Sequence, residues 1–141
     1  MIVVDTNVVS ELMRTDPDER VLAWSRTLKA DQAVITTITV EEVEFGLRRL
    51  PTGQRRRRLT QRWRELMEAF EEHVLDYDVP SAISTAELLH GRERLGRPMG
   101  LADAQIAGIC VAGRHDLATR NMDNFDDIEG LTVVNPFAWG A

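Results

Sequence analysis

Carboxylates supply most of the chemistry that this sequence can offer. Asp5 closes the apolar run Met1–Val4, Glu42 lies in TTITVEEVEFG, Asp103 in MGLADAQIAGIC and Asp123 in LATRNMDNF. Other residue types of common active sites are thin. His73, His90 and His115 are scattered, without the spacing of a zinc site. There is no Ser-His-Asp elbow, no Walker loop and no GxGxxG turn. Several carboxylates brought together repel, and without a cation at least one takes up a proton. A hard divalent ion relieves that repulsion, and an all-oxygen ligand set suits Mg²⁺ or Mn²⁺. The chemistry open to the chain is therefore that of carboxylates and a metal.

Residues so far apart must be gathered by a fold. Short apolar runs alternate with helical periodicity, which predicts an α/β architecture with a central, mostly parallel sheet of four to five strands. Strands are expected at Met1–Val4, Ala33–Thr36, Val74–Tyr77, His115–Thr119 and, at an edge, Leu131–Val134. Helices are expected at Thr6–Met13, Asp18–Lys29, Thr39–Leu50, Thr52–Glu72, Pro80–Leu95 and Leu101–Ala112, the last closed by Gly113. Leu59, Trp63, Leu66, Met67 and Phe70 fall on one stripe of the fourth helix. In open α/β sheets, ligands bind beyond the carboxyl ends of the strands. Asp5 follows the first strand, and Glu42 falls in the first turn of the helix after the second. Asp103 lies in the first turn of a covering helix, and Thr119, Asn121 and Asp123 follow the fourth strand. One sheet edge can collect them all.

Each acid also has a plain local reading. Asp5 can cap the helix that starts at Thr6. Thr39 and Glu42 have the spacing of a capping box. Asp103 can complement a helix dipole. The set weighs more than its members, because Asp5 directly follows an apolar strand near the sheet centre, where an unpaired carboxylate is costly.

Composition bounds the remaining classes. A chain of 141 residues, 43% hydrophobic and 28% charged, fits one globular domain spanning residues 1–141. The single cysteine, Cys110, can form no internal disulfide and sits in the apolar run IAGICVAG, which suits a small buried side chain in a reducing compartment. No run of roughly 20 apolar residues predicts a membrane span. The apolar start is too short for a signal peptide and lacks a basic leader, so a cytoplasmic location is expected. Net charge is −6, but Arg48–Arg64 holds eight arginines and no acid, leaving nine basic against 23 acidic residues elsewhere. That asymmetry allows a basic patch beside an acidic site. Four consecutive arginines, Arg55, Arg56, Arg57 and Arg58, point nearly all round a helix and cannot all meet one ligand. Their face is expected to be solvated, to meet a partner or to contact nucleic-acid phosphates. Trp24, Trp63 and Trp139 are expected in the core or an interface.

Four segments together resemble the PIN-domain family, and within it the VapC-type toxins of toxin–antitoxin pairs. MIVVDTNVVSEL resembles the opening strand and Asp-x-Asn motif through Asp5 and Asn7. TTITVEEVEFG resembles the helix in which a Glu precedes Gly by four, here Glu42 and Gly46. MGLADAQIAGIC carries the third acid, Asp103, and LATRNMDNF resembles the Thr-x-Asn block through Thr119 and Asn121. The likeness spans essentially the whole chain, in the family's order. One departure stands out: the family often has Asp immediately before the last Phe, where this chain has Asn124, with Asp123 one earlier. The fourth acidic role falls to Asp123, with Asn124 as a neutral alternative.

The resemblance implies a three-layer sandwich with helices on both faces of the sheet. It implies a Mg²⁺- or Mn²⁺-dependent endoribonuclease, with Asp5, Glu42 and Asp103 as metal ligands. Asn7, Thr119, Asn121 and Asn124 would orient them. Water as nucleophile would leave 5′-phosphate and 3′-hydroxyl ends. An antitoxin, a homodimer and a higher toxin–antitoxin assembly are implied as partners. Two other readings remain: a non-catalytic PIN-fold module that binds RNA or protein, and a DNA-acting nuclease of related fold. A phosphotransfer domain fits poorly, because position 7 is Asn and the only lysine is Lys29.

Overall fold

The computed structural model describes residues 1–141. Five short strands form one all-parallel sheet: β1 (Ile2–Val4), β2 (Ala33–Thr36), β3 (Val74–Leu75), β4 (Asp116–Ala118) and β5 (Val133–Val134). Their order across the sheet is β3-β2-β1-β4-β5. Registry pairs Val3 with Val34 and with Leu117, so the three central strands lie level. Seven helices surround them: α1 (Thr6–Leu12), α2 (Glu19–Ser25), α3 (Thr37–Arg49), α4 (Gln54–Ala69), α5 (Val79–Arg94), α6 (Leu101–Gly113) and α7 (Met122–Phe125). A 3₁₀ turn at Pro136–Ala138 ends the ordered elements.

Side-chain alternation along the strands builds the three layers. Val3, Val34 and Leu117 point to one face and join a core with Ile106, Cys110 and Phe125. Val4, Ile35 and Ala118, their sequence neighbours, point to the other face and join Val8, Trp24, Val43 and Trp63. Period-two alternation with both faces covered is what a parallel sheet between helices requires. The α4 stripe of Leu59, Trp63, Leu66, Met67 and Phe70 packs on the second of these cores. Trp24 and Trp63 are buried, whereas Trp139 is 40% exposed. Cys110 is fully buried, and burial pushes its thiol up to about 12. No helix is long and apolar enough to cross a membrane.

Two local expectations fail and one element was not expected, each for an identifiable reason. First, α3 begins at Thr37 rather than Thr39 because β2 runs straight into it, and the Thr36 hydroxyl accepts from the Thr39 N–H at 3.1 Å. Thr36 is the cap, so the Thr39–Glu42 capping box does not form, and Glu42 moves from the first helical turn to the second. Second, Arg114, not a glycine, takes the left-handed position after α6, at φ 57°. Gly113 matters for space instead, since a Cβ there would stand 2.4 Å from His115 Nε2. Third, the four-residue α7 has no apolar periodicity to announce it; Phe125, fully buried, anchors it.

Helices α5 and α6 press together at Gly108. A Cβ there would lie 2.1 Å from Thr85 Oγ1 and 2.8 Å from the Ser81 carbonyl oxygen. The main-chain contact cannot rotate away. We expect Gly108→Ala to destabilise the fold by roughly 1–3 kcal/mol, the usual range for overpacking, read as a lower urea midpoint at unchanged m-value.

Candidate active site

The chain steps from β1 outward to β2 and β3, then returns to the far side of β1 for β4. The sheet order therefore switches between β1 and β4, where α/β sheets open a crevice beyond their carboxyl ends. Asp5 and Thr119 sit at that seam. The Asp5 N–H donates to the Ala118 carbonyl at 2.9 Å, continuing the ladder by one residue. The Thr119 hydroxyl donates to Asp5 Oδ2 at 2.7 Å. Asp5 Oδ1 meanwhile accepts from the Thr6 N–H at 2.8 Å and caps α1. Capping and facing the site thus fall to different oxygens of one carboxylate.

Asn7, in the first turn of α1, closes the group. Its Nδ2 donates to Asp5 Oδ2 at 3.3 Å and to Thr119 Oγ1 at 3.2 Å, and its Oδ1 accepts from the Arg120 N–H at 3.2 Å. The Asn121 contribution is through its main chain, whose N–H donates to Thr119 Oγ1 at 3.1 Å, while its side chain lies exposed. Glu42 reaches the same edge from α3 and accepts from the Thr6 hydroxyl at 2.7 Å. Asp103, half-buried in the first turn of α6, accepts from Asn124 Nδ2 at 3.1 Å.

The electrostatics follow from this placement. Asp5 is 3% exposed. Burial pushes its carboxyl up to about 6, the Thr119 and Thr6 hydrogen bonds oppose the rise, and the Asp103 and Glu42 charges add to it. Burial also raises Asp103 above the usual carboxylate range, against the Asn124 hydrogen bond. The five ion pairs of the protein lie elsewhere, and no arginine or lysine pairs with Asp5, Glu42 or Asp103. As the side chains lie, no three acids stand at ligating spacing. Glu42 is turned to Thr6 and Asp103 to Asn124, so closing on one ion takes side-chain rotation. The donor set nonetheless fits a hard divalent cation: the carboxylates are paired with no basic side chain, and burial and like charge push one of them up to about 6.

The remaining sequence-derived candidates separate. Asp123 is exposed, hydrogen-bonds none of the site carboxylates, and lines a shallow depression with Arg120, Asn124 and Asn135. Arg55 lines a larger cleft of about 560 Å³ that also contains Thr6, Asn7 and Glu42. Arg56 lines a different hollow, beside Glu44 and Trp63, while Arg57 and Arg58 are exposed.

The PIN domain family model matches residues 2–131. The chain is 38% identical to the VapC ribonuclease Y4jK of Sinorhizobium fredii, over 97% of this chain and 98% of that one. It belongs to the PIN-domain family, in its VapC-type branch. It is also 31% identical to the toxin FitB of Neisseria gonorrhoeae, over 97% and 99% of the two chains. The crystal structure of FitAcB from Neisseria gonorrhoeae superposes with a TM-score of 0.87 at 30% identity, covering 98% of this chain and 99% of that one.

Two residues of this PIN domain escaped the reading of its sequence. Thr6 bonds both Glu42 and, at 3.0 Å, Thr39 Oγ1, joining α1 to α3. Its partners lie over thirty residues away, so only its position beside Asp5 hinted at a role. Arg120 stacks its guanidinium on Phe137 at 4.5 Å and lines both the cleft and the depression. It is the unassigned middle residue of Thr119-Arg120-Asn121.

The raised Asp5 pKa makes a stability prediction. Without metal, the folded protein binds this proton up to about pH 6, whereas the unfolded chain loses it near 3.9. Folding therefore takes up a proton in between, and stability falls as pH rises through that window. The effect of one such group is at most roughly 3 kcal/mol. Urea unfolding of the metal-free protein at pH 4 and pH 7 is expected to show the fall, and Asp5→Asn to show a smaller one.

Proposed function

We propose that this PIN domain, a single domain spanning the chain, is a divalent-metal-dependent endoribonuclease and the toxin of a toxin–antitoxin pair. The observation that carries this reading is Asp5: a buried carboxylate, hydrogen-bonded by three neighbouring donors, beside two further acids and paired with no cation. Asp5, Glu42 and Asp103 would hold Mg²⁺ or Mn²⁺. When bound, the ion lowers the pKa of a water and neutralises charge on the phosphate.

The chain's own groups do the rest. Asp5, oriented by Thr119, Asn7 and the Thr6 N–H, fixes one ligand direction. Thr6 orients Glu42, and Asn124 orients Asp103. One of the exposed or half-exposed acids, Asp103 or Asp123, accepts a proton from the attacking water. Since water attacks, the 2′-hydroxyl is not consumed, and the products carry 5′-phosphate and 3′-hydroxyl ends. Arg55 and Arg120 contact RNA phosphates along the cleft beside Glu42. An antitoxin segment would compete there: the cleft also offers Val43, Leu47 and Leu50, and the acids offer a seat for one of its arginines. Exposed Val79 and Ile83, one turn apart on α5, supply apolar surface for the homodimer, from which a larger toxin–antitoxin assembly would be built. The site of action is the cytoplasm, where RNA is met.

One observation favours a second reading. Asn124 stands where an acid would complete the site, which suits a PIN module that binds without cutting. Calorimetry with Mn²⁺ separates the two, since a wild type that binds no ion has no metal nuclease.

Three further outcomes are expected. Asp5→Asn and Glu42→Gln should each lower RNA cleavage by on the order of 1000-fold, the loss of several kcal/mol of transition-state stabilisation. RNAs cut after controlled expression should carry the stated ends and be absent with Asp5→Asn; equal cutting of DNA would defeat the RNA assignment. Arg55→Ala and Arg120→Ala should raise KM with kcat nearly unchanged, while Arg58→Ala should leave both unchanged.

A further inference from the structure

Arg92 is an arginine in the wrong place for an ordinary surface charge. It lies near the end of α5 and is only 7% exposed. Arginine is almost never buried unless its donors are used. Its Nη2 donates to the main-chain carbonyl of Asn124 at 2.6 Å and to Asp127 Oδ1 at 2.5 Å. The other Asp127 oxygen accepts from Arg97 Nη1 at 2.9 Å. A buried ion pair of this kind adds little net stability, because desolvation offsets the attraction. What it does supply is a fixed geometry, and the geometry it fixes is that of α7.

Helix α7 has four residues and cannot define its own orientation. Phe125, fully buried in the core beneath it, sets its depth. One anchor leaves α7 free to roll about that ring. The Arg92 bond to the Asn124 carbonyl is a second anchor on the adjacent residue, and two anchors fix the roll. The direction of the Asn124 side chain is then set, and it ends with Nδ2 3.1 Å from Asp103 Oδ2. The amide must present Nδ2 there, since an ionised carboxylate can only accept.

We propose that Arg92 is a positioning residue for the acidic pocket: through the main chain of Asn124 it holds the amide that orients Asp103. The proposal rests on reading that pocket as a metal site. The charge of Arg92 is not part of it. Asp103 responds to burial and to the Asn124 hydrogen bond. Three separate elements are thereby linked, α5 through Arg92, α7 through Asn124 and α6 through Asp103. The close α5–α6 contact at Gly108 keeps the first and last of them in fixed relation.

The test uses the full chain and four variants: Arg92→Lys, which keeps the charge and loses the planar donor; Asp127→Asn; Asn124→Ala; and the double variant Arg92→Lys with Asn124→Ala. In the metal-free protein, the Asn124 side-chain amide is followed by ¹⁵N NMR, assigned by its loss in Asn124→Ala. Arg92→Lys is expected to displace that signal. Mn²⁺ calorimetry is expected to show affinity lower by on the order of tenfold in Arg92→Lys and in Asn124→Ala. The double variant should be no weaker than the weaker single one, because both act through the same amide. An undisplaced amide, wild-type Mn²⁺ affinity in Arg92→Lys, or losses that multiply in the double variant would each overturn the proposal. If Arg92→Lys does not fold, Asp127→Asn loosens the same clamp at a partly exposed site and is read the same way. A wild type that takes up no Mn²⁺ counts against the metal reading itself, and the amide signal then decides the role of Arg92 alone.

Discussion

A carboxylate at the end of a central strand cannot be both buried and charged at low cost. Asp5 is in that position, and the surrounding structure reads as a response to it. Three donors converge on its two oxygens, one from a main-chain amide, one from a hydroxyl and one from a side-chain amide. They do not suffice, and its carboxyl stays neutral to about pH 6. None of the seventeen basic residues is placed there to supply a compensating charge. A site kept short of one positive charge is preorganised to take one from outside.

The layers exist to hold that arrangement still. Alternate residues of β1, β2 and β4 drive into two separate cores, so the sheet is clamped from both faces. The strand ends, and with them Asp5 and Thr119, inherit that rigidity. Sites on the ends of packed elements are held more firmly than sites on loops. The acids on helices need additional tethers, and each has one: Thr6 for Glu42, Asn124 for Asp103. The tether of Asp103 is itself on a short helix that depends on Phe125 and Arg92.

Charge is arranged with the same economy. The acids gather at one sheet edge while the arginine run lies on α4, and only Arg55 of its four consecutive members shares the cleft with Glu42. The others turn away because successive helical residues are about 100° apart. Arg120 also lines the cleft, its guanidinium supported by the Phe137 ring. A polyanion entering this proposed site would find positive charge flanking the negative centre, which lets phosphate approach acids that would otherwise repel it.

The fold was legible because it rests on local periodicity. Apolar runs of strand length, alternating with helical stripes, need no partner to be recognised, and the acids at the ends of those runs could be assigned to one edge from topology alone. Asp5 and Thr119 meet at the seam that such a sheet must have. Helix starts were less legible: Thr36 and Thr39 are both good caps, and only the absence of a loop after β2 decided for Thr36. Beyond that, tertiary structure decided. Asn124 rather than Asp123 bonds Asp103, because the roll of α7 is set by Phe125 and by Arg92 thirty-two residues away. Thr6 bonds Glu42 across thirty-six residues. Such contacts join side chains whose neighbours in sequence carry no trace of each other, so residue type and spacing determined which chemistry the chain can offer, and packing determined which atoms meet to offer it.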